Sequence, residues 1–383
     1  MSMIPVQTAV DHTKEHEVDQ YTVSALQEAS IAVPSNLKFL NVNWFLACGE
    51  KERLQDTAKT PVSFLSLTDD VGKIRGACPY TTSMYHGLKA FSLTGYNYPF
   101  KSIIVDENHI EECTKSLISK IHNGELFDVV ILEILEEESE VTKNIEESFR
   151  VKKWKSHKVD VGQQYAVMLP ESMDDYKNAL SKKMLGNIRR EKNKLHKLGE
   201  VKDVKYNDLS QHEWSKIIDN CAEVERNSWA NKSDIGKTEL YGHEKFWKQL
   251  LNNEETSSRV NVWLTYLDEK PISYNLAIDS GEYRYGISAH YNEDYKTLGV
   301  GGSMHMCVIE DAIDKGLKKL NMGYGFGEYK QRWNAEPISA LTNYIYFRPS
   351  FMGKLVYDAC SLKKFADNYL PKSSRKISKT NDK

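Results

Sequence analysis

Apolar positions along the chain follow two rhythms, one residue in two and one in three or four, and the order in which these rhythms succeed one another occurs twice. In the first half, Val62-Ser-Phe-Leu-Ser-Leu67 and Lys73-Ile-Arg-Gly-Ala-Cys78 flank the turn sequence Asp69-Asp-Val-Gly72 and predict a β-hairpin. His109 to His122 sets Ile110, Cys113, Leu117 and Ile121 on one helical face, and the nearly continuous apolar run Phe127 to Leu135 reads as a central strand. The acidic run Glu136 to Glu147 reads as a solvated helix face. In the second half a hairpin turns at Asp268-Glu-Lys270, between Arg259–Leu267 and Ile272–Ile278. A strand at Tyr283–Tyr291, a helix at 303–317 and a strand at Leu320–Phe326 follow it. Two copies of one α/β unit account for a chain of 383 residues.

Between the copies, Asp175 to Leu198 predicts one long helix, with Tyr176, Leu180, Met184, Ile188 and Leu195 on a stripe and Gly199 as its terminator. At the end, Phe351, Leu355, Ala359, Leu362, Phe365 and Tyr369 mark a helix whose apolar face is expected to pack on the parent domain, with a basic tail from Lys372 to Lys383 behind it. A weak peripheral membrane contact through 351–383 is the alternative use of that face. The expected division is a loose arm at 1–33, a first unit at 34–160, a second unit at 161–350 and the helix and tail at 351–383.

Composition narrows the class. With 51 basic against 54 acidic side chains the net charge is -3, so no bulk attraction to nucleic acid is expected. Cys48, Cys78, Cys113, Cys221, Cys307 and Cys360 are scattered without close pairs and read as reduced thiols, neither a disulfide framework nor a zinc site. Met1 to Gln20 holds no apolar run, which points to a cytoplasmic protein without a membrane span.

Chemistry gathers at Leu298-Gly-Val-Gly-Gly-Ser303, between the strand 283–291 and the helix after it. Gly299, Gly301 and Gly302 lack a Cβ, Ser303 can cap the helix, and the helix N-terminus adds partial positive charge; together with Leu298 and Val300 they form a candidate phosphate cradle. A Gly-rich turn alone is a weak sign. A Walker loop is excluded because no lysine stands between Gly302 and Ser303, and a Rossmann turn because Asn292 to Leu298 intervene between strand and glycines.

Four blocks in order are more specific: Asp175 to Arg190, Glu225-Arg-Asn-Ser-Trp229, the loop Leu298–Ser303, and Gly325-Phe-Gly-Glu-Tyr-Lys-Gln-Arg-Trp333. From about Tyr165 to Tyr346 the chain resembles the GNAT-type acyltransferases, in particular the cellulose-biosynthesis-protein-like group with two fused GNAT domains. The family often has a proline in the glycine loop, which is missing here. The resemblance implies an α/β (α+β) fold of two tandem GNAT-like units, each a mixed, mostly antiparallel sheet flanked by helices. It implies acetyl-CoA or another acyl-CoA as co-substrate, no metal, and a small-molecule amine as acceptor, an amino-sugar intermediate of surface polysaccharide being one candidate. One donor site is expected, in the second copy, since Thr94–Phe100 in the first offers no backbone nest.

Transfer from a thioester to an amine needs a base for the ammonium, a donor for the oxyanion and an exit for the thiolate. Alternation along 283–291 groups Tyr283, Tyr285, Ile287 and Ala289 on one face and Arg284, Ser288 and His290 on the other. His290 is the first candidate base and Glu225 the second; Tyr324 or Tyr329 would protonate the thiolate. Arg189, Arg190, Trp229, Lys330, Arg332 and Trp333 are the candidate acceptor or anion contacts, carried by the family blocks. The rival readings are a Fem-type transferase drawing on aminoacyl-tRNA, and a binding module of the same fold without chemistry.

Overall fold

The computed structural model describes residues 32–54, 62–95, 99–124, 126–232, 240–325 and 327–369. Residues 1–31 of the expected arm, residues 96–98 of the Thr94–Phe100 turn and the basic tail lie outside the described residues. In chain order the first half runs α1 (Val42–Leu54), β1 (Ser63–Thr68), β2 (Ile74–Tyr85), β3 (Leu88–Leu93), β4 (Ile104–Val105), α2 (Ile110–Asn123), β5 (Val129–Glu136), α3 (Glu140–Val151) and β6 (Lys155–Met168). Then come α4 (Met173–Ala179), α5 (Lys182–Leu195), β7 (Val201–Tyr206), α6 (Trp214–Arg226), α7 (Trp229–Lys232), α8 (Glu244–Leu251) and α9 (Glu254–Ser257). The second half is β8 (Val260–Leu267), β9 (Lys270–Ser280), β10 (Tyr283–Tyr291), a 3₁₀ turn (Glu293–Leu298), α10 (Val300–Asp314), β11 (Lys319–Tyr324), α11 (Glu328–Arg332) and β12 (Ala335–Phe347), with α12 (Phe351–Tyr369) last.

All twelve strands join one sheet, in the order β1-β2-β3-β5-β12-β6-β11-β10-β9-β8-β7 with β4 on β2. Each half builds antiparallel neighbours that lead to one parallel pair, β3 with β5 and β10 with β11. The last strand of each half crosses to the other: β6 pairs with β11, β12 pairs with β5, and β6 and β12 pair antiparallel at the centre. The chain therefore folds as two copies of a mostly antiparallel unit that exchange their final strands.

Helices cover both halves for the reason the spacing gives. Ile110, Cys113, Leu117 and Ile121 of α2 are buried with Val141, Ile145 and Phe149 of α3 against the first half. Each such side chain contributes roughly 1.5–3 kcal/mol on burial, which is what holds these helices, charged on their outer faces, to the sheet. In the second half Met304, Val308, Ile309 and Ala312 of α10 pack with Trp263, Ala277 and Leu320.

Three expectations change. The helix foreseen over Asp175–Leu198 breaks at Leu180, which is extended at φ -83 and ψ 155, because Ser181 caps a new helix by accepting the Met184 N–H at 3.2 Å. The helix foreseen at 303–317 begins at Val300, with Gly299 as its cap residue in place of Ser303. The apolar stripe of the C-terminal helix faces outward: Phe351 is 80% and Leu362 69% exposed, and it is Val356, Tyr357 and Cys360 that pack inward. Among the described residues no helix is long and apolar enough to cross a membrane.

Candidate active site

The glycine segment lies where the second half's parallel strands part. β10 and β11 pair only from Tyr283/Lys319 to Tyr285/Asn321, and β10 then continues to Tyr291 without β11. The 3₁₀ turn after it opens with Asn292 accepting the Asp294 N–H at 2.9 Å. Gly299 takes φ +60, and Gly302 and Ser303 donate their N–H groups to its carbonyl. A side chain at Gly299 would overlap the Glu191 carboxyl of α5, and a Cβ at Gly301 would stand 3.2 Å from the Tyr291 ring. Glycine is required here by contact as well as by conformation. The first turn of α10 thus adjoins open space with its dipole and its small residues together.

That space is a cavity of about 1250 Å³. It is lined by Gly299, Val300, Gly301 and Gly302, by Met184 and Ile188 of α5, by Trp229, by Ala289 and His290 of β10, and by Tyr329, Arg332 and Trp333. The break at Ser181 helps to open it, since Ala179, Leu180 and Ser181 are part of the wall. Lys183, Lys296 and Arg332 are exposed lining residues that add positive charge, and Glu191 adds the opposite sign beside the glycines.

Behind His290 stands a buried polar cluster. Glu225 at the end of α6 is fully buried, and its Oε2 accepts the backbone N–H groups of Leu240 and Tyr241, both at 2.7 Å. Its Oε1 accepts the Tyr274 hydroxyl at 2.5 Å and the Ser288 hydroxyl at 3.2 Å, and faces His290 Nε2 at 3.5 Å. Burial, with the Glu225 charge beside it, pushes the Tyr274 phenol well above its ordinary pKa, so it stays a donor. The two residues foreseen as alternative bases are therefore one unit: His290 lines the cavity and Glu225 orients it from behind.

A bulge makes this possible. The β9 register steps from Gly286/Ala277 to Ser288/Leu276, leaving Ile287 as an extra residue in β10. Beyond an extra residue the alternation reverses. Arg284 faces α10, donating to the Val308 carbonyl at 2.8 Å, whereas Ser288 and His290 face α6. The expectation that Arg284, Ser288 and His290 share a face is corrected accordingly.

Over residues 182–331 the sequence matches the family model of the acetyltransferase (GNAT) domain. The second half is similar to a GNAT domain. The strand β10, the glycine loop, α10 and β11 all fall within the matched stretch, and the first half repeats the strand, helix and parallel strand as β3, α2 and β5 without the glycine loop, giving two tandem GNAT-like units. The whole fold is similar to that of FemX, at 9% identity and a TM-score of 0.58 over 90% of this chain and 98% of FemX. It is similar also to the C-terminal domain of a putative lysylphosphatidylglycerol synthetase from Agrobacterium fabrum, at 9% identity and a TM-score of 0.50 over 90% and 96% of the two chains. At such identities the likeness is one of fold. A search of the curated proteins finds no match.

Within the GNAT-like second half the foreseen contacts separate into two groups. Trp229, 42% exposed, lies with its ring 6.1 Å from that of His290, and Trp333 packs edge-on against His305 at 4.5 Å; both line the cavity. Arg189 and Arg190 line a different cavity on the other side of α5, with Asn193, Lys194 and Lys197. Tyr324 is half-buried and packs against the core under α6, while Tyr329 is the phenol at the cavity. Lys330 is buried, its ammonium donating to the carbonyls of Gly323, Tyr324 and Gly325 at 2.8–3.0 Å. Burial pushes its pKa down to about 8. With three carbonyls on three N–H donors it clamps the turn after β11, and it is absent from the cavity lining.

Sequence reasoning missed Tyr274, Ser288, Lys296 and His305, whereas Arg332, foreseen with Lys330 and Trp333, does line the cavity. Ser288 and His305 carried a detectable signal, being polar residues inside strongly apolar elements. Tyr274 sits in a strand of ordinary composition and carried none. Among the described residues no group of three or more His, Cys, Asp or Glu side chains is placed to hold a metal ion.

Proposed function

We propose that the chain is an acyl-CoA-dependent N-acyltransferase, most simply an N-acetyltransferase, that passes the acyl group directly to a small-molecule amine. One observation carries this reading: the glycine-rich N-terminus of α10 and His290, with Glu225 behind it, border the same cavity. The cradle suits a pyrophosphate, because Gly299 and Gly301 leave no side chain over the first turn, and Lys183, Lys296 and Arg332 supply countercharge. An amino sugar is the acceptor class that the family resemblance favours, and Trp229 offers a flat apolar wall for such a ring.

In this reading His290 takes the proton of the incoming ammonium, and Glu225 stabilises the imidazolium that results. The neutral amine attacks the thioester carbon, forming the C–N bond, and the oxyanion is received by a backbone N–H of β10 at the bulge. The C–S bond then breaks, the thiolate takes the proton of Tyr329, whose pKa is raised by desolvation, and Tyr329 recovers a proton from the acylated nitrogen, while His290 returns its own to solvent.

An aminoacyl-tRNA donor is the second reading. It is supported by the similarity of fold to FemX and by the basic outer side of α5, where Arg189, Arg190, Lys194 and Lys197 lie together. Thermal unfolding with free CoA, acetyl-CoA and a charged tRNA separates the two. A ligand at about a hundred times its dissociation constant stabilises the fold by roughly 2.7 kcal/mol. A shift with either CoA species supports the first reading; no CoA shift together with a tRNA shift overturns it.

A further inference from the structure

The outer face of α12 is unusual for a helix at the surface. Phe351 is 80%, Met352 49%, Leu355 54% and Leu362 69% exposed. Phe351, Leu355 and Leu362 follow helical spacing and fall on one line, and Met352 widens it. The inner side of the helix is already satisfied: Val356 is buried with Phe347, and the Tyr357 ring stacks on His157 at 4.5 Å. Among the described residues no core therefore claims the outer stripe, and four large apolar side chains along it exceed what a surface carries by chance.

The charges that accompany and follow the stripe in sequence indicate its partner. Lys354 is exposed on the same helix, and the sequence 363–383 holds seven Lys or Arg against two Asp. Asp358, the acid on this side of α12, is paired with Lys155 at 3.7 Å. An apolar stripe continued by a basic segment matches a bilayer with acidic headgroups, the apolar side chains entering the interface while the cations stay among the phosphates. A second copy of the chain would bring two basic segments together, which charge opposes.

We propose that the outer stripe of α12 docks the protein on an anionic lipid surface. This does not depend on the acyl-transfer reading.

The test is flotation of the full chain with vesicles of equimolar phosphatidylglycerol and phosphatidylcholine, and with phosphatidylcholine alone. The chain is expected to float with the anionic vesicles, to fall away as salt rises, and to remain below with the neutral ones. The triple variant F351S/L355S/L362S is expected to lose about tenfold in partitioning while melting at the same temperature, because these side chains are exposed. Replacing Lys372, Arg375, Lys376 and Lys379 by Gln should give a loss of similar size without touching the helix. Failure of the full chain to float, or equal flotation of both variants, overturns the proposal. A fall in melting temperature or in self-association of the triple variant, without vesicle binding by the parent, assigns the stripe to another segment of the chain or to a second copy and also overturns it.

Discussion

The two halves have one frame and opposite interiors at the point where their parallel strands part. In the second half β10 leaves β11 after three paired residues, and a glycine-rich helix N-terminus and a cavity follow. In the first, β3 and β5 also pair over three residues, Ala90–Ser92 with Val129–Ile131, but Lys101 bridges the gap just beyond. Its N–H donates to the Ile134 carbonyl at 3.0 Å, and its ammonium reaches Glu133 at 3.1 Å and the Leu93 carbonyl at 3.4 Å. The backbone kink in the outgoing strand is present twice, as Gly323 at φ +75 and as Ile134 at φ +57. Glycine meets that conformation without cost, whereas isoleucine is held there by the Asn343 side chain accepting its N–H at 2.7 Å. The chain's own lysine thus fills the first opening, whereas the second leads into the cavity of about 1250 Å³.

The sharpest way to break this contrast is to remove a histidine from each half. H290Q is expected to lower turnover about 10²–10⁴-fold, while H157Q, which removes a ring that stacks on Tyr357 and contacts the Ser361 hydroxyl at 3.2 Å in the first half, leaves turnover within about twofold; steady-state kinetics of the two variants decide it. Equal losses would mean that the halves do not divide the work as argued.

Acid should also weaken the second half. Burial lowers the His305 pKa from 6.5 to about 4, so the unfolded chain binds a proton in that window and the folded chain does not. Stability is accordingly lost as pH falls from about 6.5 towards 4, by roughly 1–3 kcal/mol. The loss should be absent in H305L, as read by urea unfolding across that range.

Smaller effects come from the two openings themselves. G299A forces alanine into a left-handed conformation against Glu191, and about 1–2 kcal/mol of stability should go with it. Any thermal shift given by CoA in the parent should vanish in the same variant. K101M removes the ion pair that closes the first half. Since Glu133 is 48% exposed the cost is expected to be only about 1 kcal/mol, with the CoA response unchanged. A new CoA response in K101M would show that the lysine alone hides a second donor site.

Elements with a strong local rhythm were legible in the sequence. The β1/β2 and β8/β9 hairpins, α2 and β10 lie where the pattern puts them, and the glycine segment does border the cavity. What escaped depends on contacts distant in sequence or on one residue's choice. Ser181 prefers to cap, and so splits an otherwise continuous helical stripe. Ile287 adds one residue to β10 and turns His290 to the opposite face, a shift invisible to alternation. Glu225 and His290 are 65 residues apart, and the amides that fix Glu225 lie at Leu240 and Tyr241, so only the fold joins them.

The exchange of β6 and β12 also sets an order of events during synthesis. β5 has one neighbour, β3, until β12 arrives, and β12 ends at Phe347, more than two hundred residues after β5 has left the ribosome. Until then the nascent first half presents a bare strand edge of Val, Ile and Leu to the cell, the kind of surface that holdase chaperones cover and that self-associates when they are scarce. Termination of translation anywhere before Phe347 would leave that edge open, so truncated products are expected to aggregate rather than persist as half-size folded proteins.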